Sequence, residues 1–339
     1  MSDEPKKSVT SFDVARQAGV SRSMVSRAFT DGAKISEASR KKVLKAADEL
    51  GYRVNFLARG LQTRQSNLVG IVASSLDTPF RSQQVKIAAR EFIRHGYRPI
   101  LLTIEENDDV EQWVSVMLNY NVAGVLITSA TPSSQIIQEC RRLQMPLVLI
   151  NRGAMQDITD TVQIDVAQAG SLAFSMLTRT RRGRLAVVRP KTESYSVTGR
   201  VQAFVSKCAQ EGVELQEFVA DGQSYAAGHD AAGMLGLSTK DIDGVFCATD
   251  LLAMGVMDRL RTDWGTRFPD DLELIGCDDI EQAGWGAYQL STMRQDTEEQ
   301  VLAAVAQMRQ RIEKPDAEIQ TYIQNLTPIF RQTTLSSYD

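Results

Sequence analysis

From Leu68 onward the chain alternates short apolar runs with amphipathic stretches, and no other feature limits its possible folds as strongly. Leu68–Ala73, Arg98–Thr103, Gly124–Ile127, Pro146–Ile150 and Val162–Ile164 read as strands, with helices expected over 82–95, 108–120 and 133–143. The pattern then restarts, with helices over 167–179, 199–211, 226–235 and 251–260. Strands over 185–188, 215–219, 244–247 and 273–277 interleave with them. Runs that are apolar without a polar alternate position suit strands buried on both faces, which is the habit of parallel sheets. Repeated strand–helix units mean a sheet covered by helices on both sides. Two successive sets predict two α/β lobes with doubly wound parallel sheets, and a ligand is expected where strand C-termini face each other.

The first 66 residues have a different character. Helix signals start at Thr10, with Asp13 three residues on as in a capping box, and Gly19 stops the helix. Ser21 caps a second short helix that carries Met24, Val25 and Ala28 at helical spacing. Two such helices across a tight glycine turn, with Ala15 and Val25 at their crossing, form a helix-turn-helix. An ordinary helical hairpin has the same outline. What distinguishes this one is its exposed set: Arg22, Ser23, Ser26 and Arg27 suit base edges and phosphates. Ser36 caps a third helix over 37–50 with Val43, Leu44, Ala47 and Leu50 on one side, stopped by Gly51.

The ordered motifs Asp13-Val-Ala, Ala18-Gly-Val-Ser21, Val25-Ser-Arg27, Leu50-Gly-Tyr52 and Asn55-Phe-Leu-Ala-Arg-Gly-Leu61 closely resemble the LacI/GalR family of bacterial transcription regulators. Val54 stands where that family usually has proline, and Gly60 interrupts its hinge helix. The resemblance implies a small all-α DNA-binding headpiece at 1–54 and a hinge helix and linker at 55–65. It makes 66–339 a bilobed, periplasmic-binding-protein-like effector and dimerisation domain. On the same basis the chain crosses between lobes three times. Lobe 1 is then near 66–164 plus 296–324, and lobe 2 near 165–295 plus 325–339.

Charge agrees with this division. Residues 1–64 hold 13 of the 38 Lys/Arg and 7 of the 42 Asp/Glu, a net of +6, which leaves −10 for the remainder. A basic head on an acidic body concentrates attraction to phosphate at the helix-turn-helix. No apolar run approaches the roughly 20 residues of a membrane span, and the N-terminal residues lack the apolar segment of a secretory leader. A cytoplasmic protein is therefore expected. Cys140, Cys208, Cys247 and Cys277 are scattered, and with only His95 and His229 they offer no metal-ligand spacing. Buried free thiols, no metal and no cofactor are expected.

Candidate DNA-binding residues are Thr10, Ser21, Arg22, Ser23, Ser26 and Arg27, together with Asn55, Ala58, Arg59 and Leu61 of the hinge. By resemblance, Leu61 of each subunit wedges into the minor groove of a pseudo-palindromic double-stranded operator. Candidate effector contacts are those at or beyond strand ends: Asp77, Phe80, Arg81, Thr128, Asn151, Arg152, Ser196, Arg200, Asp250, Asp278 and Gln295. Carboxylates accept from hydroxyls, guanidinium groups donate, and a phenyl ring covers an apolar face. Asp165 and Asp279 read instead as caps or structural carboxylates, and Arg152 is common at its family position. Three arginines in one cleft favour a sugar acid or sugar phosphate over a neutral sugar, with a purine or other metabolite as the alternative.

The competing readings lack their own signatures. A transport-class sugar-binding protein needs a leader and has no basic head. No Gly-x-Gly-x-x-Gly follows a strand, and neither a Walker lysine nor a Gly-x-Ser-x-Gly elbow is present, so an enzyme is not expected. No leucine-heptad segment follows the last expected strand, which points to a homodimer built through the effector domains. The expected function is a sequence-specific, effector-controlled transcriptional regulator, with repression the expected sense.

Overall fold

The computed structural model describes residues 9–29, 33–53, 66–104, 110–128, 132–153, 158–179, 183–191, 194–236 and 241–335. The expected hinge, with Asn55, Ala58, Arg59 and Leu61, lies outside them. The chain divides into two compact units, residues 1–66 and 67–339.

In the first unit, α1 (Ser11–Ala18), α2 (Arg22–Ala28) and α3 (Glu37–Leu50) close on a small core of Val14, Ala15, Val25, Ala28, Val43, Ala46 and Ala47. The termini carry the local chemistry that short helices need. The Thr10 backbone N–H and hydroxyl donate to the Asp13 carboxylate at 3.0 and 2.7 Å. Ser21 and Ser36 hydroxyls accept from the N–H groups of Met24 and Ser39 at 3.3 and 3.2 Å. Gly19 ends α1 at φ +64, where a side chain would be strained. Leu44 does not join the core as the spacing suggests: it is exposed, and Ala46 takes the inner position beside Val43 and Ala47.

Among the described residues, the second unit holds two six-stranded sheets. The strands are β1 (Leu68–Ala73), β2 (Arg98–Thr103), β3 (Val125–Ile127), β4 (Leu147–Ile150), β5 (Asp160–Ile164), β6 (Leu185–Pro190), β7 (Leu215–Ala220), β8 (Gly244–Cys247), β9 (Glu273–Asp278), β10 (Ser291–Arg294), β11 (Thr321–Gln324) and β12 (Thr327–Ile329). The first sheet has the order β11-β5-β4-β3-β1-β2 and is parallel throughout. The second has the order β12-β10-β9-β8-β6-β7 and is parallel except for β12, which runs antiparallel to β10.

Helices cover both faces of each sheet. On the first, α4 (Pro79–Arg94) and α11 (Thr297–Glu313) lie over Val69, Ile71, Leu126, Val148 and Ile150. Opposite them, α5 (Val110–Asn119) and α6 (Ser134–Arg142) lie over Val72, Val125, Ile127 and Leu149. The two faces take alternate residues of the same strands, which explains the unbroken apolar runs. The second sheet is covered by α7 (Val166–Thr178), α8 (Tyr195–Glu211), α9 (Tyr225–Gly236) and α10 (Asp250–Trp264) around one continuous core. Helices α9 and α10 approach so closely that a Cβ on Gly255 would meet the Tyr225 carbonyl oxygen.

The chain passes between sheets three times: from β5 to α7, from β10 to α11, and from β11 to β12. The alternation of elements matches the sequence expectation. Strands β10, β11 and β12 lie outside the expected set, and α8 begins at Tyr195 rather than 199. All four cysteines are free and buried. Burial pushes the Cys140 thiol up to about 12 and Cys208 to about 11, so neither is a thiolate near neutral pH. Among the described residues no helix is long and apolar enough to cross a membrane.

Candidate functional site

Helix α2 of the first unit is fixed from behind by Val25 and Ala28, which leaves Arg22, Ser23, Ser26 and Arg27 facing outward, all exposed. Ser21 is engaged as the cap and lies 2.9 Å from the Ser23 hydroxyl. Arg27 Nε donates to the Ser23 carbonyl at 3.3 Å. Arg22 lies differently, with its guanidinium carbon 3.9 Å from the centre of the Phe12 ring.

In the second unit, strand ends from both sheets converge on a cleft lined by Thr78, Pro79, Phe80, Arg81, Asn151, Ser196, Val197, Arg200, Gln223, Thr249, Leu251, Asp278, Ile280 and Gln295. Phe80, at the start of α4, reaches from the first lobe to pack on the core of the second. The open space is only about 50 Å³, against the roughly 300–1,000 Å³ of a small-molecule pocket. A hexose-sized ligand therefore requires the lobes or the Arg81 side chain to move.

Seven of the expected effector residues are brought together here: Phe80, Arg81, Asn151, Ser196, Arg200, Asp278 and Gln295. The other four are placed elsewhere. Asp77 is exposed, one residue before the cleft wall begins. Arg152 is buried, with Nε and Nη2 both on the Thr128 carbonyl and Nη1 3.5 Å from the Ser194 hydroxyl, so it ties two strand ends and two lobes together. Thr128 supplies that carbonyl. Asp250 lies beneath the cleft, where its carboxylate accepts from the Ile280 N–H at 2.9 Å and the Thr292 hydroxyl at 2.5 Å. Asp165 caps α7, and Asp279 receives Arg294 and Arg331 at 2.7 and 2.6 Å.

Electrostatically the cleft is built around Arg200, which is 1% exposed. Its Nη2 donates to the Ala248 carbonyl and lies 3.4 Å from Asp278 Oδ1, while Nε and Nη1 have no partner among the described residues. Burial lowers Arg81 to about 10, the Asp278 carboxylate pulls it up again, and Arg200 pushes it further down. Burial raises Asp278, against the opposing pull of Arg200 and the 2.6 Å hydrogen bond from Gln295. Burial, then the proximity of Asp278, brings Asp250 up to about 7.

Behind these side chains lies a chain of buried amides. Arg81 Nη1 donates to Gln84 Oε1 at 3.1 Å, and Gln84 Nε2 to Gln300 Oε1 at 3.2 Å. Gln300 Nε2 donates in turn to Gln324 at 2.8 Å and to Gln295 at 3.3 Å. Asn151 Nδ2 reaches Gln295 at 3.2 Å, and its Oδ1 accepts from the Ile164 N–H at 3.1 Å. The relay thus touches all three inter-lobe crossings. One signal was available: Gln84 is spaced with Ala88 and Phe92, and Gln300 with Ala304 and Met308, on the buried faces of their helices. A larger cavity, about 420 Å³, lies at the opposite end of the first sheet beside Cys140, Asp160 and Arg311. Arg311 there is already held by Asp160 and by loop carbonyls of Pro315, Ala317 and Glu318.

Residues 12–55 match the family profile for bacterial regulatory proteins of the lacI family, and residues 174–334 match that of a periplasmic binding protein-like domain. The chain is 27% identical over 291 residues to catabolite control protein A of Priestia megaterium, covering 85% of this chain and 87% of the relative. It is 27% identical over 329 residues to the ribose operon repressor of Escherichia coli K12, covering 95% and 98%. In structure it is similar to the lac repressor dimer bound to operator and the anti-inducer ONPF, with TM-score 0.87 and 23% identity over 97% of this chain and 100% of that one. That likeness concerns the fold.

Proposed function

Since the chain belongs to the lacI family of bacterial regulatory proteins and is a transcription regulator rather than an enzyme, we propose that it is a cytoplasmic repressor controlled by an anionic, carbohydrate-like effector. Residues 1–54 serve as the headpiece, 55–65 as the hinge, and 66–339 as the effector and dimerisation domain. Two copies bind a pseudo-palindromic operator, each reading one half-site with Arg22 and Ser23. Leu61 of each hinge enters the minor groove at its centre, and Arg59 serves phosphate or the minor groove.

The observation that supports the effector class is Arg200. A guanidinium almost completely withdrawn from water, with two nitrogens unpartnered among the described residues, is costly unless a ligand acceptor completes it. Arg81 adds a second cation, and Asp278 is the only carboxylate among the described residues lining the cleft. A carboxylate or phosphate placed between the two arginines forms charge-assisted hydrogen bonds and offsets their mutual repulsion. Asp278, Gln223 and Gln295 are then available to ring hydroxyls, and Phe80 to an apolar ring face.

Effector and operator affinities are coupled through the relation between the two lobes, and the coupling is reciprocal, typically about 1–3 kcal/mol. The test is a thermal-shift screen of the full-length protein with sugars, sugar acids, sugar phosphates and nucleobases, followed by calorimetry on the hits. A ligand bound only by the native state raises the melting temperature. A sugar acid or phosphate should bind, and Arg200→Met should abolish the shift. Tight binding of a neutral sugar, with none of its acid or phosphate, overturns the effector class.

A further inference from the structure

We propose that Phe12 is a positioning residue for base readout, holding the Arg22 guanidinium flat so that its edge is presented to a guanine. The inference rests on the DNA-binding reading of the first unit and adds to it a residue outside the recognition helix. Phe12 is 58% exposed and takes no part in the headpiece core, although its neighbours Val14 and Ala15 are buried there. An aromatic ring on the polar side of a short helix contributes little to packing. What it does contact is Arg22, ten residues later and across the Gly19 turn, with the guanidinium carbon 3.9 Å from the ring centre.

With its carbon over the ring, the guanidinium can lie face-on to Phe12 and keep its edge free. Stacking uses the face of the guanidinium, whereas its N–H donors lie in the plane and point outward from the edge. A bidentate arginine reads guanine through O6 and N7 with that edge. An arginine at the start of an exposed helix otherwise samples many rotamers, and ordering it on binding is unfavourable. The Phe12 ring removes part of that freedom before DNA arrives. Arg27 shows the contrast: its Nε is drawn back to its own helix by the Ser23 carbonyl. A lysine at position 22 would not substitute, because a point charge has no plane to stack and no fork to offer.

The experiment is selection of full-length protein on a randomised duplex library, comparing wild type with Arg22→Ala, Phe12→Ala, Phe12→Leu and Phe12→Trp. Wild type should yield a two-fold symmetric motif with a guanine in each half-site whose preference disappears in Arg22→Ala. Phe12→Ala and Phe12→Leu should weaken preference at that same base pair by about 2- to 5-fold, the range of an exposed cation–π contact. Phe12→Trp should restore it, and in the Arg22→Ala background Phe12→Ala should add nothing. Circular dichroism should show the variants folded, since Phe12 lies outside the core. The proposal is overturned if Phe12→Ala leaves every preference intact, changes a base pair other than the Arg22-dependent one, or weakens all sequences equally. Failure of wild type to select any motif would instead overturn the DNA-binding reading itself.

Discussion

Replacing Gln300 with leucine tests the amide relay that joins the cleft to the inter-lobe crossings. Gln300 is completely buried, its Oε1 accepts from Gln84 at 3.2 Å, and its Nε2 donates to Gln324 at 2.8 Å. Leucine is close in volume but offers neither group. Asn151 and Gln295 keep each other as partners at 3.2 Å, whereas Gln84 Nε2 and Gln324 Oε1 lose the bonds that satisfy them. A buried polar group left unsatisfied costs about 1–3 kcal/mol, so two cost about 2–6 kcal/mol. The leucine returns about 1–2 kcal/mol through extra apolar burial. The net loss should centre on about 2–3 kcal/mol. Urea unfolding of full-length protein, followed by tryptophan fluorescence, reads it as a lower midpoint at unchanged slope. The double variant Gln84→Leu/Gln300→Leu removes both ends of one bond and should lose at least about 1 kcal/mol less than the two single losses summed. A single-variant loss below about 0.5 kcal/mol, or strictly additive losses, would refute the relay as a stabilising unit.

Other consequences can be measured separately. Asp250 is raised from 3.8 to about 7 by burial and then by Asp278. The folded state therefore holds a proton that the unfolded chain has released, and this group's contribution makes stability fall as pH rises from about 4 to 7. Asp250→Asn keeps an acceptor for the Ile280 N–H and a donor for the Thr292 hydroxyl, so calorimetric melting temperatures should fall less across that window. An unchanged slope would remove Asp250 as its source. Gly255→Ala should destabilise the protein by about 1–3 kcal/mol, because the added Cβ meets backbone atoms of Tyr225 and His229 that cannot rotate away. A melting temperature equal to wild type would show that α9 and α10 can separate at no cost. Light scattering at micromolar concentration should give a dimer; a stable tetramer or a monomer would contradict the proposed two-copy operator complex.

Much of this architecture could be read directly from the chain. Leu68–Ala73 and Leu147–Ile150 declare buried parallel strands because both faces of each are covered, leaving no position where a polar side chain is tolerated. Thr10, Ser21, Gly19 and Gly51 mark the helix ends because capping and left-handed backbone are chemistry within a few residues. Arg81, Asn151, Arg200, Asp278 and Gln295, all named as effector candidates from the chain, line one cleft.

Partnership was not legible. Arg152 and Arg200 are the same residue type, both buried, yet one is tied to the Thr128 carbonyl and the other keeps two nitrogens without a partner among the described residues. Asp250 and Asp278 likewise diverge, one beneath the cleft floor and one in its wall. Strands β10 to β12 escape the apolar pattern because they are short and rich in polar residues, and take their identity from the strands they pair with. Local sequence determines which elements form, since propensity, capping and periodicity act within a few residues. Which buried polar group finds a partner depends on atoms brought together from residues more than a hundred positions apart, as Gln84 and Gln300 are, and only the tertiary structure decides that.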